Sequence, residues 1–497
     1  MRLGELSVMD IYEAAIKGAR IEASGLEGID EGAERLVKAA ATSRIYGVNT
    51  LLGELANSGE GGEADPLDMI RMHACGVGEP APREWVRASL LVRANQLAQG
   101  YSGVRSGLLI TMINMLNSGI SPVVPVLGSV GSSGDLIPLA HIALAVAGEG
   151  EAEASGERLP AAEALRRIGL TPFTPNLREA LAMINGTSFS AGALAVELVN
   201  SFLVAIGSIA STVMIMEAAR GSLSPNSIEV NAVKRHKAPL LVAGLLEESL
   251  AGSRRVNSSG RVQDPYSIRC SSLVIGAAID ALWWARRNLE NEVNSTSDNP
   301  VMIGTNFKST CHFHGQYISI SSDLARNAVA SLINLEERRS AQLLRREING
   351  SEEYLGRRGG VGFMIMQYTN AGLSGLARQL STPALVNNVP TSGFQEDVVA
   401  MSLNSVYLLR QLNELAFRSI AINLLLSYVA LDRDGCGGCG GTGRLLHELI
   451  GDRWRDGDVS ASIEAVARDL PFILGKFLES RGLTLRGVVE GDRLTNR

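Results

Sequence analysis

Cysteine is scarce in this chain. Five are spread over 497 residues, at Cys75, Cys270, Cys311, Cys436 and Cys439, too few and too scattered for a disulfide scaffold. An excess of positive charge is missing too. The formal net charge of −6 favours neither nucleic acid nor an anionic membrane as partner. The opening MRLGELSVMD has no basic region followed by an apolar run, so no signal peptide is read and a soluble, cytoplasmic protein is expected. No internal repeat is apparent. What remains is ordinary globular material, 45% hydrophobic and 20% charged, with length for roughly two or three structural units.

Two short clusters invite a metal, and each lacks ligands. Cys436-x-x-Cys439 stands alone in the glycine-rich stretch Asp434 to Gly443, whereas structural zinc takes about four ligands. A thioredoxin-like βαβ pattern around it is also absent, so a flexible loop is expected there. In Cys311-His312-Phe313-His314 the two imidazoles would share a strand face, but no third and fourth ligands follow, and no metal is expected. Leu198 to Met216 carries no charge and is long enough to span a bilayer. Asn200, Ser201, Ser208, Ser211 and Thr212 interrupt it, and Glu197 and Glu217 flank it in place of Lys or Arg. That pattern reads as a helix buried in a large core.

Helical signals dominate the rest. Phe189 to Arg220, Ser267 to Asn294, Ser322 to Ile348 and Met401 to Leu431 all read as long helices, the third starting from a Ser322-Asp323 cap and stopping near Asn349-Gly350. These runs exceed the usual ~11–12 residues of a globular helix, and their all-round apolar character predicts a bundle with further burial between subunits. The first part has shorter elements and a loose acidic loop at Asn57 to Asp65. The expected division is a mixed, mostly helical head over 1–188, a long-helix body over 189–431 and a small helical tail over 432–497.

Gly128-Ser129-Val130-Gly131-Ser132-Ser133-Gly134-Asp135-Leu136 carries the most chemistry. Its bland reading is a glycine-rich turn before a helix, and no Gly-Lys-Ser/Thr follows to make it a phosphate cradle. Its sharper reading begins from the freedom of Gly134 to bend its amide nitrogen back toward the Ser132 carbonyl. Attack there closes a five-membered ring, and loss of the Ser133 hydroxyl as water leaves an exocyclic methylidene. The product is an electrophile that none of the twenty side chains supplies.

Gly128 to His141 (GSVGSSGDLIPLAH) resembles the signature of the aromatic amino-acid ammonia-lyases, whose methylidene-imidazolone forms autocatalytically from Ala-Ser-Gly. SRIYGVNT (Ser43 to Thr50) resembles that family's tyrosine loop and AMINGTS (Ala182 to Ser188) its Asn-Gly-Thr motif. QDPYSIRC (Gln263 to Cys270), EVNSTSDNP (Glu292 to Pro300), FHGQ (Phe313 to Gln316) and FQEDVVAM (Phe394 to Met401) follow in the family's order. Each string alone is weak; together and in order they are specific. The resemblance implies a mainly α fold of the fumarase/aspartase-like superfamily, a homotetramer with shared active sites, and a cofactor formed from Ser132, Ser133 and Gly134 with no external group.

Residue by residue, the resemblance makes Tyr46 the base at Cβ, a role its glycine-rich loop suits. Arg269 becomes the clamp for the substrate carboxylate, since a guanidinium makes two parallel charge-assisted hydrogen bonds. Asn185, Gln263 and Tyr266 become the polar groups around the ring carbonyl and the tyrosine, as fixed donors for developing negative charge. Phe313 would pack on the substrate ring.

Two positions bear on which amino acid is used. Met72-His73 places an imidazole where the histidine-specific members of the family have one, and Gln395-Glu396-Asp397 carries a carboxylate where those acting on phenylalanine and tyrosine have none. A carboxylate serves an imidazole N–H and would be left unpaired beside a phenyl ring. Both favour L-histidine, with trans-urocanate and ammonia as products. The alternatives are a tyrosine or phenylalanine lyase, an aminomutase, or a helical scaffold in which the triad never cyclises. The chain departs from the family at Ser132, where alanine is usual and the ring would carry a hydroxymethyl group; at Leu51-Leu52, where Gly-Phe is usual; and at Val398, where histidine is common.

Overall fold

Helix formation here is driven by long apolar faces and closed by local chemistry at the ends. A computed structural model describes residues 2–50, 65–356 and 361–491. The Leu51-Leu52 departure therefore lies outside the described residues, as does the acidic loop except Asp65, whose carboxylate caps the Pro66–His73 helix at Leu67 N. The chain forms two compact units, each discontinuous in sequence. One comprises Met1–Val199, Arg286–Asp323 and Pro383–Tyr407; the other comprises Asn200–Ala285, Leu324–Thr382 and Leu408–Arg497. The boundaries at 199, 285, 323 and 407 fall within the helices Ser188–Ala219, Ser271–Val293, Gln316–Leu343 and Ser402–Asp432.

Among the described residues the first unit holds shorter helices and three small antiparallel sheets. Val77–Pro80 pairs with Pro125–Leu127, Glu151–Ala154 lies between Ser121–Pro122 and Glu157–Pro160, and Val301–Ile303 pairs with Asn306–Lys308. The Val8–Lys17 helix starts with a capping box in which the Ser7 hydroxyl accepts from Asp10 N at 3.1 Å. Its last turn leaves carbonyls that need donors. The buried Arg87 supplies them, donating to Ala14 and Ala15 carbonyls at 2.9 and 3.0 Å and to that of Leu116 at 3.1 Å. Gly192 lets the start of the Ser188–Ala219 helix lie against the Arg83–Leu97 helix: a Cβ there would stand 2.6 Å from Ser89 N.

The second unit explains the polar residues in the uncharged stretch. Among the described residues two helices, Ser188–Ala219 and Ser402–Asp432, are long and apolar enough to cross a membrane, but the most apolar window of the first is 94% buried inside the fold. Ser208 and Ser211 donate their hydroxyls to opposite oxygens of Glu336, both at 2.7 Å, and Asn423 Nδ2 joins them at 2.7 Å. Arg339 pairs with Glu336 at 2.6 Å and also donates to Thr212 Oγ1 at 2.6 Å, Ser271 Oγ at 2.8 Å and the Ser267 carbonyl at 3.0 Å. Both charges are buried, and every such group must be paired in a core.

Three expectations need correction. The helix expected from Ser322 begins at Gln316, because Asp323 faces inward and accepts from Ala384 N and Leu385 N at 3.1 and 3.2 Å and from Ser405 Oγ at 2.5 Å. The run from Ser267 is two helices, Tyr266–Arg269 and Ser271–Val293, parted at Cys270. The joint at 434–443 is not loose. Cys436 and Cys439 are buried and form a disulfide, Arg255 donates to Asp434 at 2.6 Å, and Gly440 N donates to Glu217 at 2.8 Å.

Replacing Arg339 by methionine leaves Glu336 buried without its cation and should cost about 3–5 kcal/mol. Urea unfolding of the two proteins measures it; a loss below about 1 kcal/mol would show that the network does not hold the core.

Candidate active site

Two glycines meeting back to back build this site. The strand Pro125–Leu127 ends at Gly128 and the helix Leu136–Val146 begins after Asp135. Between them Gly128, Gly131 and Gly134 take φ of 142°, 68° and 76°, values an L side chain resists. Gly134 bridges to Gly186 from the Asn-Gly-Thr motif, Asp135 N donates to the Gly186 carbonyl at 2.8 Å, and a Cβ on Gly134 would lie 2.6 Å from Gly186 N. Gly131 is equally hemmed in, with Ser402 N 3.1 Å from where its Cβ would be, while its carbonyl accepts from Gly315 N at 3.0 Å.

This contact places Asn185 over the triad. Asn185 Nδ2 donates to the Ser133 carbonyl at 2.9 Å, while its Oδ1 is buried with no hydrogen-bond partner among the described residues. An unmet buried acceptor is costly, ~1–3 kcal/mol, and marks a place for a donor. Asn185 is held from behind by Arg93, which donates to its carbonyl at 2.9 Å, also to that of Ala182, and to Ser297 Oγ at 3.2 Å. Arg93 is wholly buried, and burial drags its pKa down to about 10 against the pull of Asp298.

Asp135 closes the other side. Its carboxylate accepts from Ser129 Oγ at 3.1 Å and from Ser190 N and Oγ at 2.7 and 2.9 Å, yet complete burial outweighs these bonds and pushes its pKa from 3.8 up to about 6. Burial likewise raises Glu292, although Thr187 Oγ1 donates to it at 2.6 Å.

Glu396 stands directly on the serines. Ser132 Oγ donates to its Oε2 at 2.6 Å, Ser133 Oγ donates to its Oε1, and Thr391 Oγ1 donates to Oε2 at 2.7 Å. Thr391 and Glu396 also exchange backbone hydrogen bonds at 2.9 and 3.3 Å. Partial burial would raise this carboxyl, but the three hydroxyl donors and the nearby His314 charge prevail and lower it. His314 is itself fixed by donating Nε2–H to the Val398 carbonyl at 3.1 Å.

The structure thus brings Ser132, Ser133, Gly134, Asn185 and Glu396 into contact. Tyr46 belongs to the same unit, half-buried in a turn that Asn49 braces by donating to the Ala40 and Ser43 carbonyls at 3.0 and 2.8 Å. His73 ends the Pro66–His73 helix with its Nδ1–H on the Met69 carbonyl at 2.7 Å, and Phe313 is half-buried in the turn before Gln316. Gln263, Tyr266 and Arg269 belong to the second unit. There Gln263 and Tyr266 are exposed, and the Arg269 guanidinium lies 5.0 Å from the Tyr266 ring centroid. Sequence reasoning gave Asp135 no role and weighed His314 only as a metal ligand, although both sit inside quoted motifs. Arg93 and Thr391 carry no local signal that could have found them.

The sequence profile of the family described as aromatic amino acid lyase matches residues 6–448. A histidine ammonia-lyase of Stigmatella aurantiaca is 39% identical, over 79% of this chain and 79% of its own. Among solved structures, a tyrosine aminomutase from Streptomyces globisporus superposes with TM-score 0.90 at 28% identity, covering 97% of this chain and 98% of its own. A histidine ammonia-lyase from Trypanosoma cruzi superposes with TM-score 0.87 at 29% identity, covering 98% of both.

Asp135 binds its proton more tightly folded than unfolded, so its contribution to stability is full below 3.8 and is lost as pH rises through about 6. Asp135→Asn should flatten that fall and leave the share due to Glu292. Unfolding free energy measured across this range reads it, and an unchanged slope would show that Asp135 is ionised in the folded protein.

Proposed function

Given that the chain belongs to the aromatic amino acid lyase family, we propose that it eliminates ammonia from L-histidine to give trans-urocanate, through a methylidene-imidazolone formed from Ser132, Ser133 and Gly134. The residues present fit that group. The carbonyl that the ring would retain is that of Ser133, and it already accepts from Asn185 at 2.9 Å. The glycine whose nitrogen must close the ring is held at a φ of 76° in a cradle that a Cβ would fill. Closure balances without an oxidant: Gly134 N bonds to the Ser132 carbonyl carbon, whose oxygen leaves as one water with the Gly134 and Ser133 amide protons, and Ser133 loses its Cα proton and hydroxyl as a second. Once formed, the ring supplies an electrophile that the side chains lack.

The observation that carries the choice of histidine is Glu396, a carboxylate held ionised on the serines of the triad. It accepts an imidazole N–H or stabilises the imidazolium; a phenyl or phenol ring offers it no N–H there. His73 and Phe313 line the ring's side of the substrate. Tyr46 takes the Cβ proton, a positioned base being worth about 10²–10⁴-fold. Arg269 clamps the carboxylate, and Gln263 and Tyr266 supply further fixed donors, in a homotetramer whose sites draw on more than one subunit. Asn185 Oδ1, an acceptor with no partner among the described residues, receives a proton donor of the substrate or of Tyr46. The enzyme works in the cytoplasm. A second reading, transfer of the amino group within an aromatic amino acid, draws on the likeness to a tyrosine aminomutase.

Intact mass of the mature protein should fall short of the translated chain by two waters, and Ser133→Ala should retain both and lose nearly all urocanate formation. Full turnover by Ser133→Ala would refute the cofactor assignment. Glu396→Gln should reduce histidine turnover at least tenfold, about 1.4 kcal/mol or more of transition-state stabilisation. Coumarate, cinnamate or a β-amino acid formed in place of urocanate would favour the second reading.

A further inference from the structure

The serine at position 132 touches more than the backbone chemistry requires of it. The two oxygens of Glu396 are divided between the triad's serines: Ser132 donates to Oε2 together with Thr391, and Ser133 donates to Oε1. The fates of these hydroxyls differ. Ring closure expels the Ser133 hydroxyl as water, whereas the Ser132 side chain lies outside the ring and keeps its oxygen. We propose that Ser132 is a positioning residue for Glu396, retained so that maturation frees Oε1 for the substrate while Oε2 stays held. The inference rests on the reading of Glu396 as the group that receives the imidazole.

The hydroxyl at 132 therefore does two things that an alanine would leave undone. It gives Oε2 a second donor beside Thr391, so the carboxylate is held from two sides and Oε1 faces a fixed direction once Ser133 no longer covers it. It also favours the ionised carboxylate, as hydrogen bonding to a charged form does. The remaining groups on Glu396 come from other segments. Thr391 lies across the short backbone bridge, and His314 lies in the turn ahead of Gln316 and bears the charge that also acts on this carboxyl. Before maturation the same arrangement hides Glu396: both oxygens accept from serines, and the substrate acceptor opens only as the electrophile appears.

The test compares Ser132→Ala and Ser132→Thr in the full-length enzyme, with Glu396→Gln alongside. Ser132→Ala should still lose two waters by intact mass, because alanine leaves the ring-forming atoms in place. Its KM for histidine should rise about tenfold with kcat little changed, the loss of one charge-assisted donor. The acid limb of kcat/KM should move up by about one pH unit. Ser132→Thr, which keeps the hydroxyl, should restore both. Calorimetric binding of trans-urocanate across the same pH range reads the carboxyl without turnover, and repeating it with His314→Gln separates a shift that belongs to the imidazole. A Ser132→Ala enzyme with unaltered KM, acid limb and product affinity overturns the proposal, as does one that keeps both waters. If Glu396→Gln also leaves histidine KM unchanged, the reading of Glu396 itself has failed; if Glu396→Gln is impaired and Ser132→Ala is not, only the role of Ser132 falls.

Discussion

The contact between Gly134 and Gly186 is the constraint from which the site follows. Two backbones meet with no room for a Cβ on Gly134, so the turn that carries the serines and the motif that carries Asn185 are pressed into one object. Their meeting sets the Asn185 amide on the Ser133 carbonyl and turns the Asp135 amide onto the Gly186 carbonyl. Glycine is required at 134 for two reasons at once, a positive φ and a missing side chain. Any residue that relieved one demand would still violate the other.

Beside that contact and elsewhere in the same unit the protein uses buried charge to hold backbone. Arg87 collects carbonyls from the ends of two helices, and Arg93 collects those of Ala182 and Asn185. A planar guanidinium suits this work because its donors lie in a fixed fork. The cost appears as depressed basicity, about 10 for both arginines. Asp135 pays in the opposite sense, with a carboxyl raised to about 6. Glu396 differs from these. It is only half-buried, and its hydroxyl donors are strong enough to keep it charged.

Much of this was legible in the sequence, and the boundary of legibility is physical. The triad, Asn185 and Glu396 could be read because each is tied to a short motif with demanding backbone chemistry. The long helices from 188 and from 402 could be read because their apolar runs contain no Pro, the second no Gly either and the first only Gly192 and Gly207. The start at Gln316 could not, since Ser322-Asp323 has the look of a cap while Asp323 points inward to Ala384, Leu385 and Ser405, over sixty residues away in the chain. Arg93 was invisible for the same reason, its partners Ala182, Asn185 and Ser297 being remote in sequence; Thr391 lies five residues from Glu396, but nothing in the sequence shows that the chain folds back between them. The joint at 434–443 misled through composition, because glycine signals freedom and cannot show that Arg255, Glu217 and a disulfide remove it.

That joint has a mechanical meaning. The Cys436–Cys439 link spans a separation of 3 residues, and a loop so short had little chain entropy to lose, so cross-linking it adds little to global stability. Its effect is on degrees of freedom. With the turn locked covalently, and with Gly440 held on Glu217 and Asp434 held on Arg255, the Ser402–Asp432 and Gly441–Gly451 helices meet at an angle-bearing bracket where a hinge would otherwise form.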